Sequence, residues 1–576
     1  MYRVTYFHRM RQPAIAFFFL LMLVPLSSAA QVLHWANLLG VSGESMIQEV
    51  RTDAQDNIYV FGRMANTGSV DLDPGPGSAT LSWNFGGLPG SGYFLAKYDS
   101  SGTYHWGLKA DALRAIAVSP AGDVVLSVLV DGSWDADPGP GTYMVNGNGM
   151  VLARWSTNGT FVAASVIEGS IAMHLLTNDQ GDVFLLGQFT DSIDVDPGPN
   201  VAMLSSSGYS DVWVAKLNAM DQLEWSGVMG GVGMEYACDL AFSEGDLLLT
   251  LRTVGPVPMQ QFDVDPGPDT AWTDFGQNQG AVAVQLDPTG GYVRHASFDW
   301  PVWWQSPLIR PLPDRGIVLG GAYAGQATFT NADTVLSMTS SGNDAFIHTL
   351  KGAVWLPGWT DLFSATGNEL ISCMTPFKDG AVVVSGTFTH SLDADPSAGS
   401  IAFQTQGPPG AAWIGSYCVD DGSHIWSTMV QGTDRDWFMD MNWSAADALV
   451  IGGQCSDSAN IGLAGPPALV STNATSSAIV ARYRAVNTSC DGSGVSVQEL
   501  ARPGLVTFIV GDMLVVEGLA PGEELRLFDG LGRLLEQRKV SGTHMELAMS
   551  GRSPGVYLVL ASSIAGGRVK RLVHQP

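Results

Sequence analysis

A six-residue acidic turn, Asp-x-Asp-Pro-Gly-Pro, recurs along the chain and constrains its fold more than any other feature. Full copies stand at 71–76, 135–140, 194–199 and 263–268, and a shortened copy, Asp-Ala-Asp-Pro, stands at 393–396. Neighbouring first aspartates are 59 to 69 residues apart, except for one longer interval that skips a place. A recurring period of this size indicates a repeat architecture.

Short apolar runs flank each turn in a constant order. A first run follows an Asp- or Gly-containing turn, as in Ile58 to Gly62, and a second alternating run ends in a basic or polar residue, as in Tyr93 to Tyr98. Each run occurs seven times, and several copies are followed by a tryptophan strand, marked by Trp106, Trp225, Trp355 and Trp426. Gly- and Asx-rich turns between such runs are typical of β-hairpins.

Four antiparallel strands in each of seven repeats predict an all-β chain built as a seven-bladed β-propeller. About 64 residues per repeat, from Trp35 to Arg484, agree with this count. The chain opens with a lone tryptophan strand, 34–39, and no such strand follows Tyr483. The opening strand is therefore expected to complete the last blade and close the ring, which removes exposed sheet edges. An open β-solenoid is the alternative.

The same residues resemble the bacterial seven-bladed β-propeller repeat proteins of the SBBP type. Their pattern D-x-x-G-N-x-Y-V-x-G, then D-a-F-v-a-K, then s-G-x-x-x-W is similar to Asp53 to Gly62, Tyr93 to Tyr98 and Gly102 to Trp106. The later repeats match more loosely: the second lacks its tryptophan and the fifth lacks the acidic turn. The resemblance covers roughly residues 31–490 and implies a secreted or surface protein, with no common catalytic set.

Residues 1–30 have the pattern of a secretory signal peptide. Arg3, Arg9 and Arg11 precede an apolar stretch, and Ser28-Ala29-Ala30 offers a cleavage site that leaves Gln31 as the mature start. The apolar stretch is shorter than the ~18–20 residues that span a bilayer. The sequence predicts no membrane span and a secreted or outer-surface location.

The charge of the chain is strongly negative and unevenly placed. Residues 31–494 contain 16 basic and 47 acidic side chains, whereas residues 495–576 contain 9 and 8. Nucleic-acid binding needs a basic face, so the acidic body argues against a nucleic-acid partner. The same acidity is compatible with divalent cations.

The acidic turns are the candidate ligand sites. Residues two apart on an extended chain point the same way, so each Asp-x-Asp pair offers two carboxylates to a calcium ion. The alternative is a rigid turn, in which proline fixes φ and aspartate accepts backbone hydrogen bonds. The candidate metal ligands are Asp71, Asp73, Asp135, Asp137, Asp194, Asp196, Asp263, Asp265, Asp393 and Asp395.

A third interpretation of these aspartates is catalytic, as the acid and the nucleophile of a glycosidase. Repetition argues against it, because an active site is normally built once. No catalytic residue is assigned from the sequence, and no cofactor other than calcium is expected. A separate aromatic cluster, Trp300, Trp303 and Trp304, is a candidate surface for sugars or a partner if it is exposed.

The end of the chain differs in style from the repeats. Residues 491–494 form a linker, and residues 495–576 form a small β-rich unit, expected to be a β-sandwich. The runs Leu525 to Arg533, Ser553 to Val559 and Lys570 to Val573 resemble a type A C-terminal sorting domain. That resemblance implies that the type IX secretion machinery is a partner through residues 495–576, and that the cargo is released or attached at the surface.

Five scattered cysteines give no metal-ligand spacing. Export permits a disulfide, and Cys418 with Cys455 is the pair considered. Two functions follow from the whole pattern. The first is a secreted, non-enzymatic binding or adhesion module with a surface or polysaccharide ligand, and the second is a secreted hydrolase or lyase acting on polysaccharide.

Overall fold

The computed structural model describes part of the chain. The described residues are 32–574, except 87–89, 111–112, 138–140, 170, 255–260, 276–278, 300–305, 332–333, 364–366, 397–399, 406–409, 431, 433–435, 464–468, 485, 487, 489, 491–505, 511–512, 518, 520–522, 530–532, 543, 550–554 and 564–565. The predicted signal peptide, the linker 491–494 and the Trp300, Trp303 and Trp304 cluster lie outside them. Within the described part, no helix is long and apolar enough to cross a membrane.

All the regular elements in the described residues are strands, so the all-β prediction is confirmed. The chain divides into two compact units, residues 1–495 and 496–576. The strands of the first unit are β1 (Val32–Leu38), β2 (Gly40–Thr52), β3 (Ile58–Asp71), β4 (Thr80–Trp83), β5 (Ser91–Tyr98), β6 (Tyr104–Ala110), β7 (Leu113–Val118), β8 (Val124–Asp135), β9 (Met144–Trp155), β10 (Phe161–Glu168), β11 (Ile171–Thr177), β12 (Val183–Phe189), β13 (Ser192–Asp194), β14 (Met203–Ser205), β15 (Asp211–Leu217), β16 (Leu223–Met229), β17 (Met234–Ser243), β18 (Asp246–Val254), β19 (Gln261–Asp263), β20 (Trp272–Asp274), β21 (Gln279–Leu286), β22 (Tyr292–Asp299), β23 (Leu308–Pro311), β24 (Ile317–Asn331), β25 (Thr334–Lys351), β26 (Leu356–Phe363), β27 (Glu369–Pro376), β28 (Ala381–Phe388), β29 (Ser391–Asp393), β30 (Ala402–Gln404), β31 (Ala411–Cys418), β32 (His424–Val430), β33 (Trp437–Trp443), β34 (Leu449–Asn460) and β35 (Leu469–Arg484).

These strands pair antiparallel in seven sets of four within the described residues, and we number the sets as sheets in chain order. They are sheet 1 (β2, β3, β5, β6), sheet 2 (β7, β8, β9, β10), sheet 3 (β11, β12, β15, β16), sheet 4 (β17, β18, β21, β22), sheet 5 (β23, β24, β25, β26), sheet 6 (β27, β28, β31, β32) and sheet 7 (β33, β34, β35, β1). The short hairpins β13–β14, β19–β20 and β29–β30 connect the second and third strands of sheets 3, 4 and 6. Strand β4 pairs with the end of β3 in sheet 1.

The first strands of the seven sheets contact one another in a closed cycle. β2 contacts β7, and the series continues through β11, β17, β23, β27 and β33 back to β2. Apolar side chains fill the spaces between facing sheets; Tyr59 and Leu95 of sheet 1, for example, share one buried cluster with Leu126 and Trp155 of sheet 2. Each sheet therefore buries its faces against its neighbours. This burial explains why the repeated strands contain so few charged residues.

The N-terminal strand completes sheet 7. β1 pairs antiparallel with β35, from Val32 opposite Arg484 to Leu38 opposite Ile479. The first described strand of the chain thus covers the outer edge of the last sheet of the cycle. An uncovered edge of this kind would expose unpaired backbone groups.

A tryptophan clasp joins consecutive sheets. Trp106 of sheet 1 donates its indole N–H to the carbonyl of Thr157 in sheet 2, at 3.0 Å. A Cβ added to Gly159 would come within 2.7 Å of the Trp106 ring, which is too close for any side chain. Glycine is therefore required at this position, both by the close approach of the indole and by a backbone φ of +76°. Trp35, Trp225 and Trp359 make the equivalent contacts with Gly102, Gly290 and Gly422.

This clasp gives a physical reason for the repeated spacing of Gly102 and Trp106. The glycine receives the indole of the preceding sheet, and the tryptophan reaches the following sheet. In the fifth repeat, the prediction that Trp355 marks the tryptophan strand is wrong. Trp355 stands in a turn with φ +55°, before β26 begins, and Trp359 makes the clasp instead.

The disulfide differs from the pair considered from the sequence. Cys418, at the end of β31, is bonded to Cys490, with Cα atoms 5.2 Å apart. Cys455 is buried in β34, opposite Ser477, and forms no disulfide, so the pairing with Cys418 is wrong. The bond ties the segment after β35 to sheet 6.

The C-terminal unit has two sheets in its described residues. Its strands are β36 (Val506–Val510), β37 (Met513–Glu517), β38 (Glu524–Asp529), β39 (Leu534–Lys539), β40 (His544–Ala548), β41 (Gly555–Ser563) and β42 (Gly566–His574). They pair in the orders β36-β37-β40 and β39-β38-β41-β42. One buried cluster contains Leu514 and Leu547 of the first sheet and Leu525 and Val559 of the second.

Candidate functional site

The five acidic turns share one hydrogen-bond pattern. In the turn of sheet 4, Oδ1 of Asp263 accepts the N–H of Asp265 at 3.1 Å and the N–H of Ala271 at 2.9 Å. The same bonds, from residues two and eight positions on, reach Oδ1 of the four remaining first aspartates, Asp71, Asp135, Asp194 and Asp393. Each first aspartate therefore holds both sides of its own turn together.

The second aspartate of the motif acts within the turn as well. Asp73, Asp196 and Asp265 each accept the N–H of the motif glycine, at 2.9, 2.7 and 2.8 Å. Asp137 and Asp395 occupy the same position, and each has interactions of its own. Burial raises the pKa of Asp393, but the N–H groups of Ile401 and Asp395 and the Ser400 hydroxyl together hold that pKa below its ordinary value.

The residue between the two aspartates is an apolar anchor. All five such residues are buried, namely Leu72, Ala136, Val195, Val264 and Ala394. In sheets 1 and 6 a tyrosine hydroxyl donates to the carbonyl of the anchor, from Tyr98 at 2.8 Å and from Tyr417 at 2.7 Å. The alternation of the motif thus places one side chain in the core and its two neighbours near the surface.

Sheet 7 contains a sixth, altered copy that the sequence pattern missed. Gly462 donates its N–H to Oδ1 of Asn460 at 3.1 Å, Ile461 is buried as the anchor, and Tyr483 donates to the Ile461 carbonyl at 2.7 Å. An asparagine in place of the first aspartate can accept the same hydrogen bonds. The absence of the Pro-Gly-Pro sequence hid this copy.

The turns also attach neighbouring sheets. Asp263 and Gly230 exchange two backbone hydrogen bonds, at 2.9 and 3.0 Å, and Gly230 directly follows β16, the fourth strand of sheet 3. The N–H of Asp71 donates in the same way to Leu39, which directly follows β1 of sheet 7. The candidate aspartates therefore lie beside fourth strands and not on the first strands of the cycle.

In the described part of the chain, no group of three or more His, Cys, Asp or Glu side chains could together hold a metal ion. The structure places the two aspartates of each candidate pair in one turn. Calcium binding by these turns stays a prediction. What the geometry does show is backbone hydrogen bonding by the carboxylates.

The first strands carry a different set of charged groups, which sequence analysis did not find. Six of them have a β-bulge at the same place, between Ile47/Glu49, Leu113/Ala115, Ala172/His174, Ala237/Asp239, Ile371/Cys373 and Phe438/Asp440. A bulge redirects side chains relative to the regular pleat. Glu49, His174, Asp239 and Asp440 all stand at this position.

Two of these aspartates bind the next sheet in the same manner. Asp440 of sheet 7 accepts the N–H of Val50 at 2.9 Å and pairs with Arg51 of sheet 1 at 2.6 Å. Asp239 of sheet 4 accepts the N–H of Ile309 at 2.9 Å and pairs with Arg310 of sheet 5. Both ion pairs are largely enclosed, and each connects consecutive first strands.

Glu49 and His174 share this environment. Burial raises the pKa of Glu49 to about 7, against the attraction of Arg51, which lies 2.5 Å away. Burial also lowers the pKa of His174, partly opposed by Asp239. Glu49 thus pairs with Arg51 of its own strand, and His174 feels the charge of Asp239 in the next sheet, so the enclosed charges lie near opposite ones.

A second pair of carboxyl groups lies between sheets 3 and 4. Asp211 and Glu235 are both fully buried and hydrogen-bonded to each other. Ser207 donates its N–H to Asp211 at 2.6 Å, Gly231 donates its N–H to Glu235 at 3.3 Å, and the Thr253 hydroxyl donates to Glu235 at 2.8 Å. Burial, and then Asp211, raise the pKa of Glu235 to about 8, so at neutral pH the two groups share a proton.

An exposed apolar surface lies directly beside this carboxyl pair. We call it the sheet 3–4 patch, formed by Tyr209, Val232, Met234 and Trp272, which are 64%, 60%, 40% and 51% exposed. Tyr209 donates its N–H to the carbonyl of Gly233 at 2.9 Å, so two of its loops touch. Trp272 is paired with Asp263, which is in turn bonded to Gly230, so the tryptophan stands about two strand spacings, ~10 Å, from the same loop.

Comparison with known proteins assigns the chain to no family. No family model matches the chain, and no curated protein sequence matches it. Among solved structures, the Pan2 WD40 domain of Neurospora crassa is 10% identical over 59% of this chain and 86% of that one, with a TM-score of 0.28. The quinohemoprotein alcohol dehydrogenase ADHIIG of Pseudomonas putida HK5 is 9% identical over 81% and 79%, with a TM-score of 0.33.

A third structure is PorZ, a surface component of the type IX secretion system of Porphyromonas gingivalis. It is 11% identical over 94% of this chain and 100% of that one, with a TM-score of 0.16. Scores at this level carry no argument about function. The class of the protein follows instead from its own strand pairings, which are those of a β-propeller.

Proposed function

We propose that this chain is an exported, closed seven-bladed β-propeller that serves as a non-enzymatic binding or adhesion module. The observation that carries the binding role is the sheet 3–4 patch. An exposed apolar surface on a protein of strongly negative net charge is a mark of interaction. Pairing of β1 with β35 and the cycle of first strands support the closed ring of seven blades.

Export and delivery form the second part of the proposal. Residues 1–30 direct the chain into the secretory route and are removed near Ala30, and residues 495–576 are the sorting domain read by the type IX machinery. Two facing sheets with one apolar core, containing Leu514 and Leu525, support a small β-sandwich in this unit. The mature protein is then secreted or held at the outer surface.

The acidic turns have a structural role in this proposal. Their carboxylates hold the turns through backbone N–H groups, and calcium is the second candidate, because hard oxygen ligands of this kind suit that ion. The hydrolase or lyase alternative needs a pair of carboxyls facing one another across a substrate bond. The observations that favour the alternative are the raised pKa values of Glu49 and Glu235, since catalytic acids often have such values.

The delivery role is tested by expressing the whole chain and a chain ending at residue 494 in a bacterium with a type IX system. Both variants keep residues 1–30, so both are expected to leave the cytoplasm. We expect the whole chain at the cell surface or in the medium and the shortened chain retained in the periplasm, measured by immunoblotting of fractions. Equal export of the two chains would contradict the proposal that residues 495–576 are a sorting domain.

The binding role is tested with the mature whole chain on a panel of cell-surface polysaccharides and intact cells. We expect retention on one of these surfaces without release of reducing ends. Release of reducing ends that is lost in Glu49→Gln or Glu235→Gln would favour the enzyme instead.

A further inference from the structure

The sheet 3–4 patch combines apolar exposure with an unusually acidic surrounding. From residue 190 to residue 275 the sequence contains 14 acidic and 2 basic residues. Lys216 pairs with Asp182 at 2.9 Å and with Glu224 at 2.8 Å, whereas the Arg252 guanidinium lies 4.5 Å from the centre of the Tyr236 ring and keeps its positive charge. Arginines outside this stretch pair with three of the 14 acids, Asp221, Asp239 and Glu244. The negative charge beside the patch therefore comes from the turn of sheet 4, where Asp263, Asp265 and Asp269 precede Trp272.

The loops that carry the patch are held in place from below. The N–H groups of Ser207 and Gly231 donate into the buried Asp211–Glu235 pair, and a parallel bridge joins Ser210 to Met234. The patch is thus a supported surface and not a pair of free loops. Support of this kind lowers the entropy lost on binding, because the side chains are already positioned.

We propose that the sheet 3–4 patch docks a cationic, apolar polypeptide segment, in which Lys or Arg side chains alternate with large apolar ones. The apolar side chains of the ligand pack on Trp272, Val232 and Met234, and its basic groups lie near the carboxylates of the neighbouring turn. Methionine and aromatic side chains adapt well to such partners. The proposal rests on the proposed binding function and names the class of its partner.

Charge decides among the possible occupants. A second copy of this chain carries the same formal charge of −27, so like-charge repulsion disfavours self-association through an acidic face. A neutral polysaccharide would use Trp272 and Tyr209 for stacking but would gain nothing from the surrounding carboxylates. A basic, apolar segment uses both features of the surface.

The test is titration of the mature whole chain with two synthetic amphipathic peptides of one pattern, built from leucine with lysine and from leucine with glutamate. We expect the lysine peptide to bind and the glutamate peptide not to bind, by calorimetry at 50 mM salt. Binding of the lysine peptide should weaken strongly at 300 mM salt, because screening acts on exposed charges. Self-association is checked by light scattering in the same samples.

Variants locate the surface. Trp272→Ser combined with Met234→Ser should weaken binding of the lysine peptide at least tenfold. Met220→Ser is the matched control, because Met220 is 75% exposed, lies in the same acidic region and stands in the turn before β16, outside the patch. Equal affinity of the double variant and the Met220→Ser control would overturn the docking proposal.

Two further outcomes separate this proposal from the broader function. Salt-independent binding of neutral oligosaccharides, lost in the double variant, would assign the patch to sugars and overturn the polypeptide partner. Retention of the double variant on intact cells, with loss of lysine-peptide binding, would keep the patch as a polypeptide site and place cell adhesion elsewhere on the chain. Loss of cell retention with unchanged lysine-peptide binding would keep the patch as the adhesion surface and overturn it as the site of a cationic polypeptide.

Discussion

The acidic turns and the carboxyl groups between the sheets use the same chemistry in opposite ways. Asp263 stands in a turn that is repeated five times, and its carboxylate accepts backbone N–H groups close to solvent. Asp440 and Glu235 stand at junctions between sheets, enclosed by protein and bonded across to another part of the chain. Repetition therefore marks the aspartates that shape local turns, and the less conspicuous carboxyls join the sheets.

A comparison of equivalent junctions makes the same point. A parallel bridge precedes the Asp211–Glu235 pair between sheets 3 and 4, and a second parallel bridge, from Glu44 to Ser476, precedes Ser45 and Ser477 between sheets 7 and 1. One junction is thus filled by two carboxyls and its counterpart by two hydroxyls. Uncharged groups meet the geometric need, so the carboxyls add a dependence on pH that the fold itself does not require.

The largest effect is expected at the closure between sheets 7 and 1. Asp440→Ala removes one of the two carboxylates that pair with Arg51, leaving Glu49, and takes away the acceptor of the Val50 N–H. Removal of one member of an enclosed ion pair costs about 3–5 kcal/mol. Because Glu49 still pairs with Arg51, we expect a loss near the lower end of that range in the free energy of unfolding, measured by chemical denaturation of the mature chain.

The control for Asp440→Ala is Asp447→Ala. Asp447 pairs with Lys378 on the surface, where the two side chains are 50% and 63% exposed. Solvent screens an exposed pair of this kind, so Asp447→Ala is expected to change stability far less than Asp440→Ala does. Equal losses for the two variants would contradict the distinction between junction carboxylates and surface carboxylates.

The next effect is the pH dependence of stability through Glu235. Its pKa rises from 4.5 in the unfolded chain to about 8 in the folded protein. The stabilisation is therefore complete below about pH 4.5 and is lost as the pH rises through 8, with a slope of up to ~1.4 kcal/mol per pH unit. Glu235→Gln stays neutral and hydrogen-bonded, so we expect its stability to fall less between pH 5 and pH 8.

The charged group that faces Glu235 is Asp211, and the other contacts are the Thr253 hydroxyl and the Gly231 N–H. Glu49 and Asp361, with pKa values raised to about 7, keep a slope of the same sign in the variant. Glu224→Gln, at a side chain 41% exposed, is the control and should leave the wild-type slope unchanged. If the stability of Glu235→Gln fell with pH as steeply as that of the Glu224→Gln control, Glu235 would not be the source of the pH dependence.

The strands could be predicted from local sequence patterns, whereas contacts between residues far apart in the sequence could not. The runs Ile58 to Gly62 and Tyr93 to Tyr98 lie in β3 and β5, because alternation and glycine turns are local signals. The partners Asp440 and Arg51 are 389 positions apart, and no spacing rule connects them. Cys490 escaped for a related reason: its partner Cys418 is near it only once sheets 6 and 7 are in place.

The turn of sheet 4 gives the smallest expected effect and the sharpest test of calcium. Asp263→Ala removes the acceptor of two N–H groups, whereas Asp263→Asn keeps an acceptor oxygen at the same place. For a hydrogen-bonded turn we expect Ala to cost about 1–3 kcal/mol and Asn less than about 1 kcal/mol, with little change between calcium and chelator. For a calcium site, saturating calcium at ~100 times Kd should stabilise the wild type by ~2.7 kcal/mol. In that case Asn would lose the calcium-dependent rise in Tm as fully as Ala does, because an amide cannot replace the charge of the ligand. The loss of stability in Asp263→Asn is therefore compared with the loss in Asp263→Ala, once in calcium and once in chelator. This comparison shows whether the repeated carboxylate binds backbone N–H groups or a calcium ion.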